Sequence, residues 1–381
     1  MRLRTVIFAA TMLILATGLA LAGGQGEGEG GEGASGEPIR IGVAGAHSGD
    51  LASYGLPTVN AAELVVEEIN ANGGIDGRMV ELIVEDDQCA PEIAANTAAK
   101  LVSDGVVAVI GHICSGATNT ALPIYEEAGI VAISPSATNP GLTEFENFFR
   151  TIAPDDAQSE LQVEFLANQL DVSKVAVLHD RGDYGKGLAD YAMGYLESYD
   201  NIEVVLYDGV TVGAVDYSAI INRINAEETD LVVWGGYHPE ASKLVDQMRS
   251  RGMDTMFIGG DGIMDETFIN VAGEAAEGVY ATSAKSTEGN TLAQEFVQRH
   301  IDTYDAEPGP FFQEGVSAAI ALMNAIDAAD STDATAIMDA LRSEYVETPV
   351  GEISFDGNGD AIGVGFAVYQ VQDLEYAQVS E

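Results

Sequence analysis

Small hydroxyl residues, aromatic rings and single acids stand just past the ends of apolar stretches in this chain. Cys114 and Ser115 follow Val106 to Ile110 in the run Gly111-His112-Ile113-Cys114-Ser115-Gly116. One helix later comes a second polar turn, Ser134-Pro135-Ser136-Ala137-Thr138-Asn139-Pro140. Hydroxyls and unpaired N–H groups at a helix start suit an anion, so these turns propose a site for a small carboxylate-bearing molecule. Tyr54, Tyr184, Tyr237 and Asp261 each stand past the end of a different apolar stretch. One tyrosine in such a place most often packs at a rim. Four positions drawn from two halves of the chain favour a ligand cleft, with aromatic walls and an acid able to pair an ammonium.

Catalysis has little support. His47, His112, His179, His238 and His300 form no metal-ligand spacing, and no nucleophile elbow or phosphate loop occurs. Asp86-Asp87 is a carboxylate pair, but neighbours on a strand end point to opposite sides and read as solvated loop acids. Asp356-Gly357-Asn358-Gly359-Asp360 starts like a calcium loop. It lacks the later Gly and Glu, and reads as the turn of a hairpin joining Val350–Phe355 to Val364–Val371. No metal and no cofactor are expected.

The elements that must position these residues alternate. Ile39 to Ala44 reads as a strand, Pro57 to Ala71 as a helix and Met79 to Val84 as a strand. The rhythm continues to Ile133, pauses near Phe148 to Ile152, and restarts at Val175. Alternation of this kind means βαβ units and parallel sheets. The expected class is α/β, with two doubly wound parallel-sheet lobes and a cleft between them. A mainly helical part follows from about Glu288.

The ends and the composition bound the setting. Arg2 and Arg4, the apolar run Val6 to Leu21 and the small residues Ala20-Leu21-Ala22 read as a secretory signal, residues 1–22. Residues 23–37, nearly all Gly, Glu, Ser and Gln, read as a flexible acidic tether. The exported chain is expected to be periplasmic or extracellular, with no membrane insertion after cleavage. Two cysteines in an exported chain suggest one bridge, Cys89–Cys114, with two free thiols as the alternative. The formal charge of −45 excludes nucleic acid and anionic membranes as partners and suits a surface kept soluble in high salt.

Asp86-Asp87…Cys89, Gly111-His112-Ile113-Cys114-Ser115, Ser134 to Pro140, Tyr184-Gly185-Lys186-Gly187 and Gly235-Gly236-Tyr237, in that order, resemble the periplasmic leucine/isoleucine/valine-binding proteins of ABC transporters. The resemblance covers about Pro38 to Val371. It implies the type I periplasmic-binding-protein fold, with lobes 38–154 plus 284–363 and 155–283 plus 364–381 joined by a three-crossover hinge. It also implies that Cys89 and Cys114 pair, and that an amino acid, branched-chain by this likeness, is captured by hinge closure and passed by a monomer to an ABC permease. Ser115 and Thr138 would hold its carboxylate. The Ser136 carbonyl and Thr138, within the turn that includes Ala137, would help bind the ammonium. Tyr54, Ile113, Cys114, Tyr184, Tyr237 and Phe311 would line the side-chain pocket. Two departures stand out. Asp261 occupies a place where the family usually has Glu, and Phe312-Gln313-Glu314 is altered, which admits a polar side chain if Gln313 or Glu314 reaches the cleft. The rival readings are a polar amino acid or short amide as ligand, a sensor without transport, and a hydrolase. The last lacks a nucleophile–base pair.

Overall fold

A computed structural model describes residues 36–380. The expected secretory signal (1–22) and nearly all of the tether (23–37) lie outside the described residues, as does Glu381. The first half runs β1 (Ile39–Gly45), α1 (Ala52–Ala71), β2 (Val80–Asp86), α2 (Pro91–Ser103), β3 (Ala108–Ile110), α3 (Ser115–Ala128), β4 (Val131–Ser134) and β5 (Phe148–Arg150). The second runs α4 (Asp155–Gln169), β6 (Lys174–His179), α5 (Asp183–Leu196), β7 (Glu203–Gly209), α6 (Ser218–Ala226), β8 (Leu231–Gly235), α7 (His238–Arg249), β9 (Met256–Gly259), α8 (Glu266–Ala272) and β10 (Tyr280–Ala284). Then come α9 (Thr291–Tyr304), α10 (Phe312–Ala329), α11 (Ala334–Ser343), β11 (Val346–Thr348), β12 (Gly351–Ile353), β13 (Phe366–Gln372) and β14 (Glu375–Ser380).

The strands form two main sheets. The first is wholly parallel, in the order β2-β1-β3-β4-β5. The second, β14-β13-β10-β9-β8-β6-β7, repeats that order in its parallel part and adds β13 and β14 antiparallel at one edge. Central strands such as β3, β4 and β8 are buried along their whole length, as a sheet covered on both faces requires. One face of the first sheet packs Ile41, Val43 and Ile133 against Leu64, Phe312, Leu322 and Leu341. So α9–α11 complete the first lobe although they follow the second in sequence. The chain passes between the sheets at about Ile152, Ala284 and Gly363. Ordinary cap chemistry fixes the helix ends. The Asn290 side chain accepts from Leu292 and Ala293 N–H at the start of α9, and Gly129 ends α3 in the left-handed region.

Two expectations fail. The terminal hairpin does not form. β12 pairs with β11, whereas β13 crosses to the other sheet and pairs with β10 and β14. Its turn survives locally, because the Asp356 carboxylate accepts from Asn358 and Asp360 N–H. Asp87 is not a solvated loop acid. It is fully buried, hydrogen-bonded to the His112 ring, and it accepts from Cys89 N–H at 2.7 Å. α2 and α3 close over that strand end, a packing that alternation along a strand does not foretell.

Candidate functional site

The parallel strands of both sheets end at the same cleft, where doubly wound sheets place their ligands. From the first lobe the loop after β3 supplies Ile113 and Cys114, the turn after β4 supplies Ser136, the first turn of α1 supplies Tyr54, and Phe311 precedes α10. The second lobe contributes Tyr184 from the first turn of α5, Tyr237 ahead of α7, and Asp261 with Gly262 just past β9. These nine residues line one small pocket, drawn tight between the lobes. Eight of them are candidates from the sequence, and Gly262 is the addition. Its residue type is dictated by space. A Cβ there would stand 2.7 Å from the Gly236 carbonyl oxygen and from the Tyr184 ring.

The remaining three candidates lie in the layer behind. Ser115 is the first residue of α3, and its hydroxyl accepts from Asn139 N–H at 3.3 Å. It lines a neighbouring polar cavity between the lobes, with Asn119, Asn139 and Asp183. Ala137 and Thr138 are fully buried. Their turn is held from two sides. Ser134 Oγ accepts from Ala137 N–H at 2.9 Å, and the buried Arg150 donates to the carbonyls of Ala137 (3.3 Å) and Asn139 (3.0 Å). The Thr138 carbonyl accepts from Asp155 N–H. Thr138 Oγ1 itself makes no hydrogen bond among the described residues, although it stands near enough to Asp155 to favour that acid's charge. The Cys89–Cys114 disulfide is formed, with Cα atoms 5.4 Å apart, so one of its sulfurs backs the pocket wall.

Two acids give the site its charge. Asp261 is 2% exposed; Oδ1 accepts from Tyr184 Oη at 2.6 Å, and Oδ2 has no hydrogen-bond partner among the described residues. Burial pushes its carboxyl up to about 6. Asp155, which the sequence did not single out, is wholly buried, and neither carboxylate oxygen is hydrogen-bonded among the described residues. Burial drives it well above the usual carboxylate range, and the nearby charge of Asp261 adds to that. As the first residue of α4 it gains from the helix N-terminus, which is all its sequence context reveals. Two buried, under-satisfied acids side by side, the charge of one raising the pKa of the other, form a place suited to a cation. Neither Gln313 nor Glu314 lines the pocket. Gln313 donates to the Ala293 carbonyl, and Glu314 faces a separate cavity beside the three inter-lobe crossings, where burial pushes it up to about 7.

The lobes meet across the cleft. Tyr54 Oη donates to the Gly262 carbonyl at 2.9 Å, and Asn119 and Asn139 donate to the Asp183 carboxylate (3.1 Å) and carbonyl (2.6 Å). The arrangement can hold a short zwitterion: hydroxyls and helix-start N–H groups stand close to the buried acids, as the adjacent charges of an α-amino acid require, and aromatic walls stand beyond them. Among the described residues no group of three or more His, Cys, Asp or Glu is placed to hold a metal ion.

Comparison with known proteins identifies the family. The periplasmic binding protein family model matches residues 38–375. The leucine-specific-binding protein of Salmonella typhimurium is 34% identical over 341 residues, covering 89% of this chain and 92% of that one. The Leu/Ile/Val-binding protein of Escherichia coli K12 is 35% identical over 335 residues, 87% of this chain and 90% of that one. Among solved structures, the branched-chain amino acid transporter substrate binding protein LivJ of Streptococcus pneumoniae, in complex with isoleucine, superposes with a TM-score of 0.79. It is 30% identical and covers 90% of this chain and all (100%) of that one. The fold is that of the type I periplasmic binding proteins, and this chain belongs to the periplasmic binding protein family.

Proposed function

We propose that this protein is an extracytoplasmic solute-binding protein that captures a branched-chain amino acid and delivers it, as a monomer, to the permease of an ABC importer. The observation that carries the reading is a mainly aromatic and apolar pocket whose one acid, Asp261, is buried and under-satisfied, with the equally buried and under-satisfied Asp155 near it. The acids take the α-ammonium, with Thr138 Oγ1 and the Ser136 carbonyl beside them. Ser115, Thr138 and the N–H groups at the start of α3 take the α-carboxylate. Tyr54, Ile113, Cys114, Tyr184, Tyr237 and Phe311 enclose the side chain. The absence of Gln313 and Glu314 from the pocket wall supports an aliphatic over a polar side chain. Closure about the crossings near Ile152, Ala284 and Gly363 joins contacts from lobe 38–154 plus 284–363 to those from lobe 155–283 plus 364–381. A ligand touching both favours the closed form.

Native mass spectrometry of the protein as purified, followed by titration with leucine, isoleucine, valine and glutamine, tests the reading. A retained or added mass of one aliphatic amino acid, with glutamine at least tenfold weaker, is expected. Binding of glutamine, or of an amide, in preference to all three aliphatic amino acids would overturn it.

A further inference from the structure

A single chain of hydrogen bonds crosses the closed cleft and ends on the acid assigned to the ammonium. Its far end is His238, the first residue of α7, 2% exposed and not part of the pocket wall. His238 Nδ1 lies 2.9 Å from Tyr54 Oη. Tyr54 has one hydroxyl proton, and it is directed to the Gly262 carbonyl at 2.9 Å. The tyrosine oxygen is therefore left to accept, and Nδ1 must carry the proton. A neutral ring can do this, and burial pulls His238 towards neutrality. Gly262 then continues the chain on its other side. Its N–H donates to Tyr184 Oη at 3.1 Å, and Tyr184 donates to Asp261 Oδ1 at 2.6 Å. Every donor along the path, from His238 to Asp261, points the same way. The carbonyl and the N–H of Gly262 belong to different peptide groups, so what the chain carries across is position: Gly262 is pinned from both sides.

Only Tyr54 in this chain belongs to the first lobe. Its two bonds, to His238 and to Gly262, can exist only when the lobes are closed. The rings also pack, with Tyr54 and His238 centroids 5.4 Å apart. We propose that His238 is a latch for the closed state. It touches no ligand; it fixes the Tyr54 hydroxyl so that Tyr54 clamps Gly262, and through Gly262 and Tyr184 it positions Asp261. The proposal rests on the amino-acid reading of the site and adds to it a residue outside the pocket that sets how long a ligand stays.

A contact made only after closure changes escape, not encounter. Stopped-flow measurements with leucine on the parent, His238→Leu and His238→Asn are the test. The Leu variant should release leucine about tenfold faster with an association rate within twofold of the parent. The Asn variant, whose amide N–H can stand where Nδ1–H stood, should recover most of the loss. An unchanged release rate, a loss residing in association, or an Asn variant as impaired as the Leu variant would overturn the latch. A parent that fails to bind leucine would instead overturn the ligand assignment. The same three proteins are then compared with glutamine: faster release from His238→Leu at an unchanged association rate, recovered in His238→Asn, supports the latch, and equal release rates refute it.

Discussion

Two sets of buried acids stand just past strands or at a helix start, Asp87 in the first and Asp261 with Asp155 in the second, and they differ in one respect. Asp87 is saturated: His112 holds one oxygen, Cys89 N–H the other, and the His112 ring is held from behind by Tyr125 Oη at 2.9 Å. Asp261 and Asp155 keep three oxygens without hydrogen-bond partners among the described residues. A buried polar group that is fully partnered supports the fold. One left under-satisfied costs stability until something arrives to complete it. The contrast separates scaffold from site more sharply than residue type does, because all three are aspartates.

The largest effect should come from the saturated acid. Asp87→Ala strands the His112 ring and the Cys89 N–H in a buried pocket and should lower unfolding stability by about 3–5 kcal/mol, measured by urea denaturation. Asp261→Asn should behave in the opposite sense. Leucine affinity should fall by roughly 2–5 kcal/mol, the cost of leaving a buried ligand charge unpaired. The ligand-free fold should be as stable as the parent or more so. If Asp87→Ala were benign, or Asp261→Asn destabilising, the division between the two acids would collapse.

A titration sharpens the same comparison. Asp261 rises from an ordinary 3.8 to about 6 because burial disfavours its charge. A carboxyl raised in the folded state carries no penalty below the unfolded value. The penalty grows as pH climbs from about 4 to 6, reaching on the order of 3 kcal/mol above that. The ligand-free parent should therefore lose stability relative to Asp261→Asn across that window. Affinity runs the other way. The ammonium needs the carboxylate, so leucine should bind more weakly as pH falls below about 6, and the variant should show a flatter profile. The smallest effect concerns the surface. With a formal charge of −45, screening of carboxylate repulsion should raise the melting temperature by a few degrees from low to molar salt. A flat or falling trend would remove salt adaptation as the reason for the acidic surface.

What was legible in the sequence follows the same division. Strand ends that carry Ser136, Tyr184, Tyr237 and Asp261 could be read because turn residues after apolar runs report where a parallel sheet offers its ligand face. Asp155 could not. An acid after proline at a helix start satisfies the helix and gives no sign that its carboxylate is left buried and unpartnered near Asp261. Asp87 was misread because alternation says that neighbouring side chains diverge, not which side a later helix will cover. β13 was misassigned because strand pairing is non-local: its partner β10 precedes it by some eighty residues, with three helices between. His238 drew attention only as a metal ligand, and its bond to Tyr54 spans 184 positions.

The central claim is that the cleft grips both charges of an amino acid. Isothermal titration of the parent and of Asp261→Asn, each with leucine, leucine amide and N-acetyl-leucine, addresses it directly. The amide lacks the carboxylate and the acetyl compound lacks the ammonium. The parent should bind leucine at least a hundredfold more tightly than either blocked form. Asp261→Asn should lose leucine affinity while N-acetyl-leucine binding hardly changes. A parent that binds N-acetyl-leucine as tightly as leucine, or an Asp261→Asn variant with undiminished leucine affinity, would contradict it.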